Sequence, residues 1–486
     1  MYDLKHPFYF IIDYVHFACA HRWTVHLLIF HSIFDAASQS FALKIYDSEH
    51  LQTNPDEIHD SLELELILAM EAPWKPSHAI APVAYTTLLF GTGLLYFSFP
   101  RQINRHGALL CVIVFAVEAF RSSADLLPDS MVEDMFCRTI LIFVAHFWHL
   151  SSSRAKLTSS KYHNPQADLK VHYASPWMRG YKLLFNARGL GTSWEIAPER
   201  RKQFKPQAIE IKKTEGSGAI HSITLPSTRT MITSRTYTLL RWAGLLTVQY
   251  FLLCFWHELR WTAYIDLNAS DFNPEKEVLL RRIIGLYPGA PVTGHELHLR
   301  TRATIDHVVS DYLKISLMHS FCGIVFVALG LDDLSEWPPL FGSLRVRSMR
   351  AYWAEFWHTL VYASFLAHAG VILSWVGLQG KRGPAIRLAK NWLVFALSAV
   401  MHGLVDVQMS PCGLTRSLWW WVMQPAAFVI EALVSWAWKK SMHKYRGFLL
   451  VRVFEVTVSH VWVFAWLFWR VPKRLYPLFT CGITTS

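Results

Sequence analysis

The stretch "KNWLVFALSAVMHGLVD", Lys390 to Asp406, decides how this chain folds. Its interior is mostly apolar and suits a helix buried in protein or lipid. Yet it ends on His402 and Asp406, which are four residues apart and share one face of a continuing helix. Ionisable side chains inside apolar spans are costly and are often functional. The stretch therefore predicts a membrane helix with a polar site near its end.

The composition of the whole chain also indicates a membrane protein. Of its 486 residues, 52% are hydrophobic and 17% are charged, against roughly 25% charged residues in soluble domains. The net charge is +11, but the basic residues lie between apolar blocks, which favours cytoplasmic loops over nucleic-acid binding. The seven cysteines are dispersed without a CxxC pair, which argues against a disulfide framework and against structural zinc.

A helix that crosses a bilayer needs about 20 apolar residues. We predict an all-α fold: a polytopic integral membrane protein whose transmembrane helices surround an intramembrane reaction chamber. Because several candidate segments are short, the expected number of transmembrane helices is about seven to nine. The candidates are 79–99, 107–120, 139–150, 242–256, 315–331, 359–380, 391–405, 417–438 and 448–469.

Four regions follow from these segments. Residues 1–78 are a segment that associates weakly with the membrane or spans it, and 79–150 hold transmembrane helices. Residues 151–235 carry 15 Lys/Arg against 5 Asp/Glu and are predicted to be a basic cytosolic loop. Residues 236–486 form the transmembrane catalytic core.

The positive charges conflict with a simple count of the spans. The loops 379–390 and 439–447 each carry four Lys/Arg and no acid, as expected of cytosolic loops. Three candidate spans separate 379–390 from 151–235, which would put these two basic segments on opposite sides. We predict that one candidate does not cross or that a re-entrant segment near 337–358 restores the parity. Such irregular elements are tolerated where they are buried in protein or line a cavity.

His402 is the first candidate catalytic residue. A neutral imidazole, with a reference pKa near 6.5, can accept a proton from an alcohol and return it to a leaving group. Asp406 could orient its ring. The alternative is structural: His402 bonds a neighbouring helix and Asp406 faces a loop.

The second candidate site is "WPPLFGSLRVRSMRAYWAEFWHTL", Trp337 to Leu360. A Pro-Pro turn leads to a run with helical composition from Ser348 on, where Tyr352, Phe356 and Thr359 recur at i, i+4 and i+7. Charged and aromatic residues mixed in this way also suit an interfacial anchor helix, which is the simpler reading.

These residues resemble a family. "SMRAYWAEFWHTL" is similar to the signature of wax-synthase-type enzymes in the superfamily of membrane-bound O-acyltransferases, and "FALSAVMHGL" resembles their second block. The upstream "LLFNARGLGTSWE" is similar to a block of the fungal branch, with Thr192 where that branch has Trp. The matching residues are Ser348, Arg350, Trp353, Trp357 and His358 in the first block, Ser398, His402 and Gly403 in the second, and Arg188, Gly189 and Gly191 in the third.

The resemblance implies an acyl-CoA-dependent O-acyltransferase with His402 as the base and His358 as its partner. It needs no metal. In the fungal branch it implies transfer of acetyl from acetyl-CoA, or of a longer acyl group, to a hydrophobic alcohol of the terpenoid or meroterpenoid class. It also implies a multi-pass protein of the endoplasmic reticulum. The expected acyl-CoA-binding residues are Arg345, Arg350, Lys381, Trp353 and Trp357.

Other functions remain open. A long-chain wax synthase uses the same chemistry. A transporter could use intramembrane His402, Glu118, Glu431 and Glu455 along a path. His146 and His149 form one HxxH pair of the kind that di-iron hydroxylases use in sets. No Gly-x-Ser-x-Gly or His-Glu-x-x-His string occurs.

Overall fold

A computed structural model describes most of the chain from Ala79 onward, so the predicted segment 1–78 lies outside it. The described residues are 79–126, 131–157, 175–190, 228–262, 269–287, 290–378, 380–409, 414–445 and 447–480. The longer helices among them are α1 (Ile80–Ser98), α2 (Arg105–Arg121), α3 (Met131–Leu157), α4 (Pro176–Leu184), α5 (Thr228–Thr262), α6 (Gly294–Ala328), α7 (Tyr362–Trp375), α8 (Pro384–Met409), α9 (Leu414–Val422), α10 (Gln424–Met442) and α11 (Leu449–Thr480). Short helical turns lie at Ser122–Asp125, Ala269–Phe272, Pro274–Glu277, Leu279–Ile283, Leu334–Glu336, Met349–Ala351 and Tyr352–Phe356.

The described residues form helices and no strands, and seven helical segments are long and apolar enough to span a membrane. The prediction of an all-α polytopic membrane protein is therefore confirmed, at the lower end of the expected number of spans. Two candidates are not among the seven. The segment 139–150 lies within α3, and 359–380 contains only the 14-residue α7.

The chain divides into two compact units, and the first comprises the residues up to Ala187 together with Val407–Met409. In it, α1 packs against α2 and α4, and His146 Nε2 lies 3.0 Å from the carbonyl oxygen of Leu183. Helix α4 lies inside the predicted loop 151–235, so that region is not irregular throughout.

The second unit comprises Arg188–Asp406 and Ser410–Ser486, and three of its long helices meet at one end. The guanidinium of Arg300, near the start of α6, lies 5.7 Å from the ring centre of Tyr476, near the end of α11. Arg474, also near the end of α11, lies 3.6 Å from the carboxylate of Asp406 on the last turns of α8. Because all three helices are long enough to cross a membrane, the end of α6 and the starts of α8 and α11 share the opposite side.

The chain between α6 and α8 therefore leaves and returns to the same membrane side. Helix α7 lies in this interval, and its 14 residues extend about 21 Å, less than the roughly 30 Å of a hydrocarbon core. The prediction that 359–380 spans the membrane is wrong, because α7 is too short to cross and is not among the seven helical segments that could span.

Two further contacts bring the other basic segments to this side. Arg235 near the start of α5 donates to the carbonyl of Val327 at the end of α6. Trp438 near the end of α10 donates to Glu455 near the start of α11 at 2.8 Å. The segments 379–390 and 439–447 and the start of α5 thus share one side, which we call the basic face. In the sequence, the basic segments 379–390 and 151–235 fell on opposite sides because α7 was counted as a span.

Candidate active site

The second unit contains a cavity of about 300 Å³ between α7, α8, α9, α10 and the chain just before α7. Both candidate histidines, His358 and His402, are in its wall. The remaining wall is mostly aromatic and aliphatic. The lining residues are Arg350, Trp353, Ala354, Trp357, His358, Thr359, Val361, Tyr362, Phe365, Asn391, Val394, Phe395, Ser398, His402, Trp421 and Phe428.

Helix α8 forms one long side of the cavity. The lining residues Asn391, Val394, Phe395, Ser398 and His402 follow one another at spacings of three, one, three and four, so they occupy a single face of the helix. From the first to the last is a rise of about 16 Å. Asn391 lies toward the basic face of α8, and His402 lies toward the opposite end.

The imidazole of His402 is buried against α9. Its ring stacks on the Trp421 indole with ring centres 4.1 Å apart and planes 8° from parallel. Gly403 allows α9 to come close, because a Cβ there would lie 3.0 Å from Leu414. The carboxylate of Asp406, predicted to orient His402, lies 3.6 Å from Arg474 instead.

The second histidine belongs to the signature segment, residues 348–358. The Ser348 hydroxyl accepts a hydrogen bond from the amide of Ala351 and so begins a short helical turn. The carboxylate of Glu431 on α10 accepts hydrogen bonds from the amide of Met349 and from the indole of Trp462. A negative charge at a helix start is favourable because the first amides lack partners within the helix.

The signature segment does not continue as the predicted α-helix. It widens to a π-turn over Tyr352–Phe356, in which the amide of Trp357 donates to the carbonyl of Tyr352. The chain is extended at Trp357, and the Phe356 carbonyl accepts from Gly342. His358 therefore follows the helix rather than lying on it, and the expected i, i+4, i+7 face ends at Phe356. Single π-turns are frequent at functional sites.

Aromatic rings surround this turn. The Tyr352 ring stacks on Trp357 at 5.5 Å, and the His358 ring lies 5.9 Å from Phe341 and 5.6 Å from Trp357. Burial raises the pKa of the Tyr352 phenol well above its ordinary value, and nearby Asp311 adds to the effect. Tyr352 is therefore a neutral packing group at physiological pH.

The upstream block contacts the Pro-Pro turn that leads to the signature segment. The buried Arg188 donates to the carbonyls of Pro338, at 2.9 Å, and Pro339, at 3.5 Å. Gly189 follows with φ of +66°, a conformation that glycine adopts without a Cβ penalty. The matching Gly191 and the divergent Thr192 lie outside the described residues.

The predicted acyl-CoA-binding residues fall into two groups. Arg350, Trp353 and Trp357 line the cavity together with the two histidines. Arg345 and Lys381 are exposed and are not part of the lining. The structure thus brings five of the seven predicted site residues together, and the roles assigned to them remain predictions.

Several lining residues were not singled out from the sequence. The most prominent is Trp421, which covers one face of His402. Asn391 and Tyr362 are further polar groups of the wall. The run Trp419-Trp420-Trp421 is an available signal, but the run alone does not tell which of the three rings faces the site.

Features that supported other functions have structural contacts. Glu431 anchors the signature segment and Glu455 accepts from Trp438, while neither lines the cavity. His146 and His149 have ring centres 6.3 Å apart. Within the described part of the chain, no group of three or more His, Cys, Asp or Glu side chains is arranged to hold a metal ion.

Comparison with known proteins bears directly on this cavity. Residues 337–430 match the model of the "Membrane bound O-acyl transferase family". The predicted resemblance to this family is confirmed. Every residue that lines the cavity falls inside the matched range of this membrane-bound O-acyltransferase model.

Curated relatives are fungal proteins with acetyltransferase names. The chain is 32% identical over 219 residues to acetyltransferase fsoF of Humicola fuscoatra, covering 43% of this chain and 52% of the relative. It is 27% identical over 218 residues to acetyltransferase aurG of Calcarisporium arbuscula, covering 43% and 50%. It is 24% identical over 390 residues to acetyltransferase TRI7 of Fusarium sporotrichioides, covering 78% and 81%.

The chain spans about half the length of the first two of these relatives. No solved structure matches it.

Proposed function

We propose that this protein is an acyl-CoA-dependent O-acyltransferase of the membrane. The observation that carries the proposal is one mostly apolar cavity with both His358 and His402 in its wall, inside the range that matches the family model. Two imidazoles facing one apolar space suit proton transfer between an alcohol and a leaving group away from bulk water.

The proposed reaction needs no covalent enzyme intermediate, because a thioester is already activated. His402 accepts the hydroxyl proton of the acceptor while the alcohol oxygen bonds to the thioester carbonyl carbon. The tetrahedral intermediate then collapses, the carbon–sulfur bond breaks, and the thiolate of CoA takes the proton from the His402 imidazolium. The products are an ester and CoA. His358 would donate to the carbonyl oxygen as negative charge develops on it.

We place the entry of acyl-CoA at the basic face. By the positive-inside rule this is the cytosolic side, where the donor is available. Arg350 lines the cavity, and Lys381 and Arg345 are exposed on the segments that flank α8 and the signature segment. Their positive charges suit the phosphates of CoA, and Trp353 and Trp357 supply apolar wall near the acyl group.

For the acyl group we propose acetyl, and for the acceptor a hydroxyl of a terpenoid or meroterpenoid. The relatives are named acetyltransferases. A cavity of about 300 Å³ lies at the low end of the roughly 300–1,000 Å³ of typical ligand pockets, which favours a short acyl group over two long chains. Long-chain wax ester synthesis stays the alternative within the same chemistry. The endoplasmic reticulum is the proposed location, as the resemblance to the family implies.

The test compares membranes that contain the wild type or His402→Ala. Each receives radiolabelled acetyl-CoA or palmitoyl-CoA with a panel of terpenoid and long-chain alcohols, and label is counted in the organic phase. Acetyl transfer by the wild type alone supports the proposal. Palmitoyl transfer to fatty alcohols would identify a wax synthase. Transfer that survives His402→Ala would refute the base assignment, and no ester from either donor would favour a transporter.

A further inference from the structure

The stack of Trp421 on His402 has a physical meaning beyond packing. The two ring centres are 4.1 Å apart with nearly parallel planes, well inside the roughly 6 Å within which a cation is attracted to an aromatic face. Neutral imidazole has little electrostatic attraction to an aromatic face, whereas imidazolium is attracted to it. Burial of the pair strengthens this attraction. The Trp421 indole in the cavity wall thus interacts more favourably with protonated than with neutral His402.

The position of Trp421 is fixed by three neighbouring helices. The last carbonyls of a helix have no partner within it. At the end of α9, side chains supply the donors: Arg470 of α11 to Trp419 at 2.9 Å, Gln424 of α10 to Trp420 at 3.1 Å, and Trp392 of α8 to Val422 at 2.8 Å. The buried Trp466 donates in turn to Gln424 at 3.1 Å. The backbone before and after Trp421 is therefore fixed by hydrogen bonds from neighbouring helices, one of which is α8, the helix that carries His402.

Other titratable and charged groups lie in the same region of the fold. Arg350 and His358 share the cavity with His402, and Asp406 on α8 is engaged by Arg474. Across α9, His307 of α6 meets the edge of Trp420, the neighbour of Trp421. The Trp421 indole lies face-on against the His402 ring.

We propose that Trp421 is a positioning residue that fixes the orientation of the His402 ring and stabilises its protonated form. This inference rests on the proposed role of His402 as the base. In that role the imidazolium exists only between proton abstraction and proton return, so the indole stabilises the charged stage of the reaction and not the resting one.

The test reads the protonation of His402 without requiring turnover. Diethyl pyrocarbonate acylates neutral imidazole, so purified protein in detergent is labelled from about pH 5 to pH 8, and the His402 peptide is quantified by mass spectrometry. The series is wild type, Trp421→Tyr, Trp421→Phe and Trp421→Leu. The matched control is Trp419→Leu, because Trp419 is on the same helix with its side chain 56% exposed.

We expect the labelling midpoint to move to lower pH by about one unit in Trp421→Leu, since the imidazolium loses its aromatic face. Tyr and Phe should give smaller shifts, and the control none. A midpoint that is equal in wild type, Trp421→Phe and Trp421→Leu overturns the proposal, even if labelling becomes faster because the cavity is more open.

Size-exclusion profiles identify any variant that fails to fold, and the Tyr and Phe variants keep the comparison decisive in that case. The outcome is independent of the acyl-transfer assay. An unshifted midpoint with active wild type refutes the role of Trp421 alone. A shifted midpoint with activity surviving His402→Ala refutes the assignment of His402 as the base, while no ester from either donor with a shifted midpoint counts against the proposed function alone.

Discussion

The two candidate histidines are held in different ways. His402 lies on the long regular helix α8, where its direction follows from the helix period and its ring rests on Trp421. His358 lies just after a π-turn, on extended chain whose course depends on Glu431 and Arg188. One side of the site is therefore set by local geometry, and the other by polar contacts between distant parts of the chain. Substitutions around His402 and substitutions around His358 should therefore lower activity for different reasons.

Removal of the histidines should give the largest effects. We expect His402→Ala to lower acetyl transfer by about 10²- to 10⁴-fold, as for loss of a general base. His358→Ala should cost about 10²-fold if it donates to the developing oxyanion. The double variant should lose far less than the product of the two factors, because both groups serve one step. Initial rates normalised to folded protein measure this, and fully multiplicative losses would show that the two histidines act independently.

Glu431→Leu should break the signature segment without touching α8. It removes the acceptor for the Met349 amide and the Trp462 indole. A fully buried donor left without a partner costs about 1–3 kcal/mol, and these two part-buried donors should cost less each. We expect a lower thermal midpoint in detergent and loss of activity, while Glu431→Gln, which keeps an acceptor oxygen, recovers much of both.

The control for this change is Glu355→Gln, an exposed carboxylate within the same segment. An unchanged thermal midpoint for Glu431→Leu would mean that Glu431 does not anchor the segment. In that case a role for Glu431 in a transport path would regain support.

Arg188→Met should weaken the Pro-Pro turn that leads to the signature segment. The carbonyls of Pro338 and Pro339 would lose a buried guanidinium donor, and hydrogen bonds to charged groups contribute about 1.5–3 kcal/mol. The expected result is a lower thermal midpoint than that of Arg347→Met, an exposed arginine nine residues after Pro338. Equal midpoints would show that the upstream block does not hold the Pro-Pro turn.

The sequence could predict the side of the site that is locally determined. The apolar pattern of 390–406 is enough to place a helix with His402 near its end. The signature segment was predicted as a regular helix from its composition. Its actual course could not be predicted, because the residues that hold it are distant in sequence: Glu431 is 82 residues from Met349, and Arg188 is 150 residues from Pro338. No short-range pattern reveals which distant carboxylate begins a helix or that a π-turn ends it.

The same reasoning explains why Trp421 was missed. Three consecutive tryptophans point in three directions on a helix: Trp419 is exposed, Trp420 is buried away from the cavity, and Trp421 lines it. Only the packing of α9 against α8 selects among them. The short α7 was likewise counted as a span because apolar composition does not report the length of the helix that forms.

Two glycine substitutions should give the smallest effects and the most specific test of how α8 positions His402. Gly403→Ala and Gly370→Ala make the same change inside helices, which favours the helix by about 1 kcal/mol in each. A Cβ at Gly370 would meet nothing within 4 Å, whereas one at Gly403 would lie 3.0 Å from Leu414 and 3.4 Å from Leu418. We therefore expect Gly370→Ala to raise the thermal midpoint with unchanged activity. Gly403→Ala should gain less stability and lose activity several-fold, because the new methyl group presses on the side chains of Leu414 and Leu418 and so disturbs the packing of α9, which carries Trp421, against α8. Equal activity of the two variants would show that the close approach of α9 is not needed to position the base.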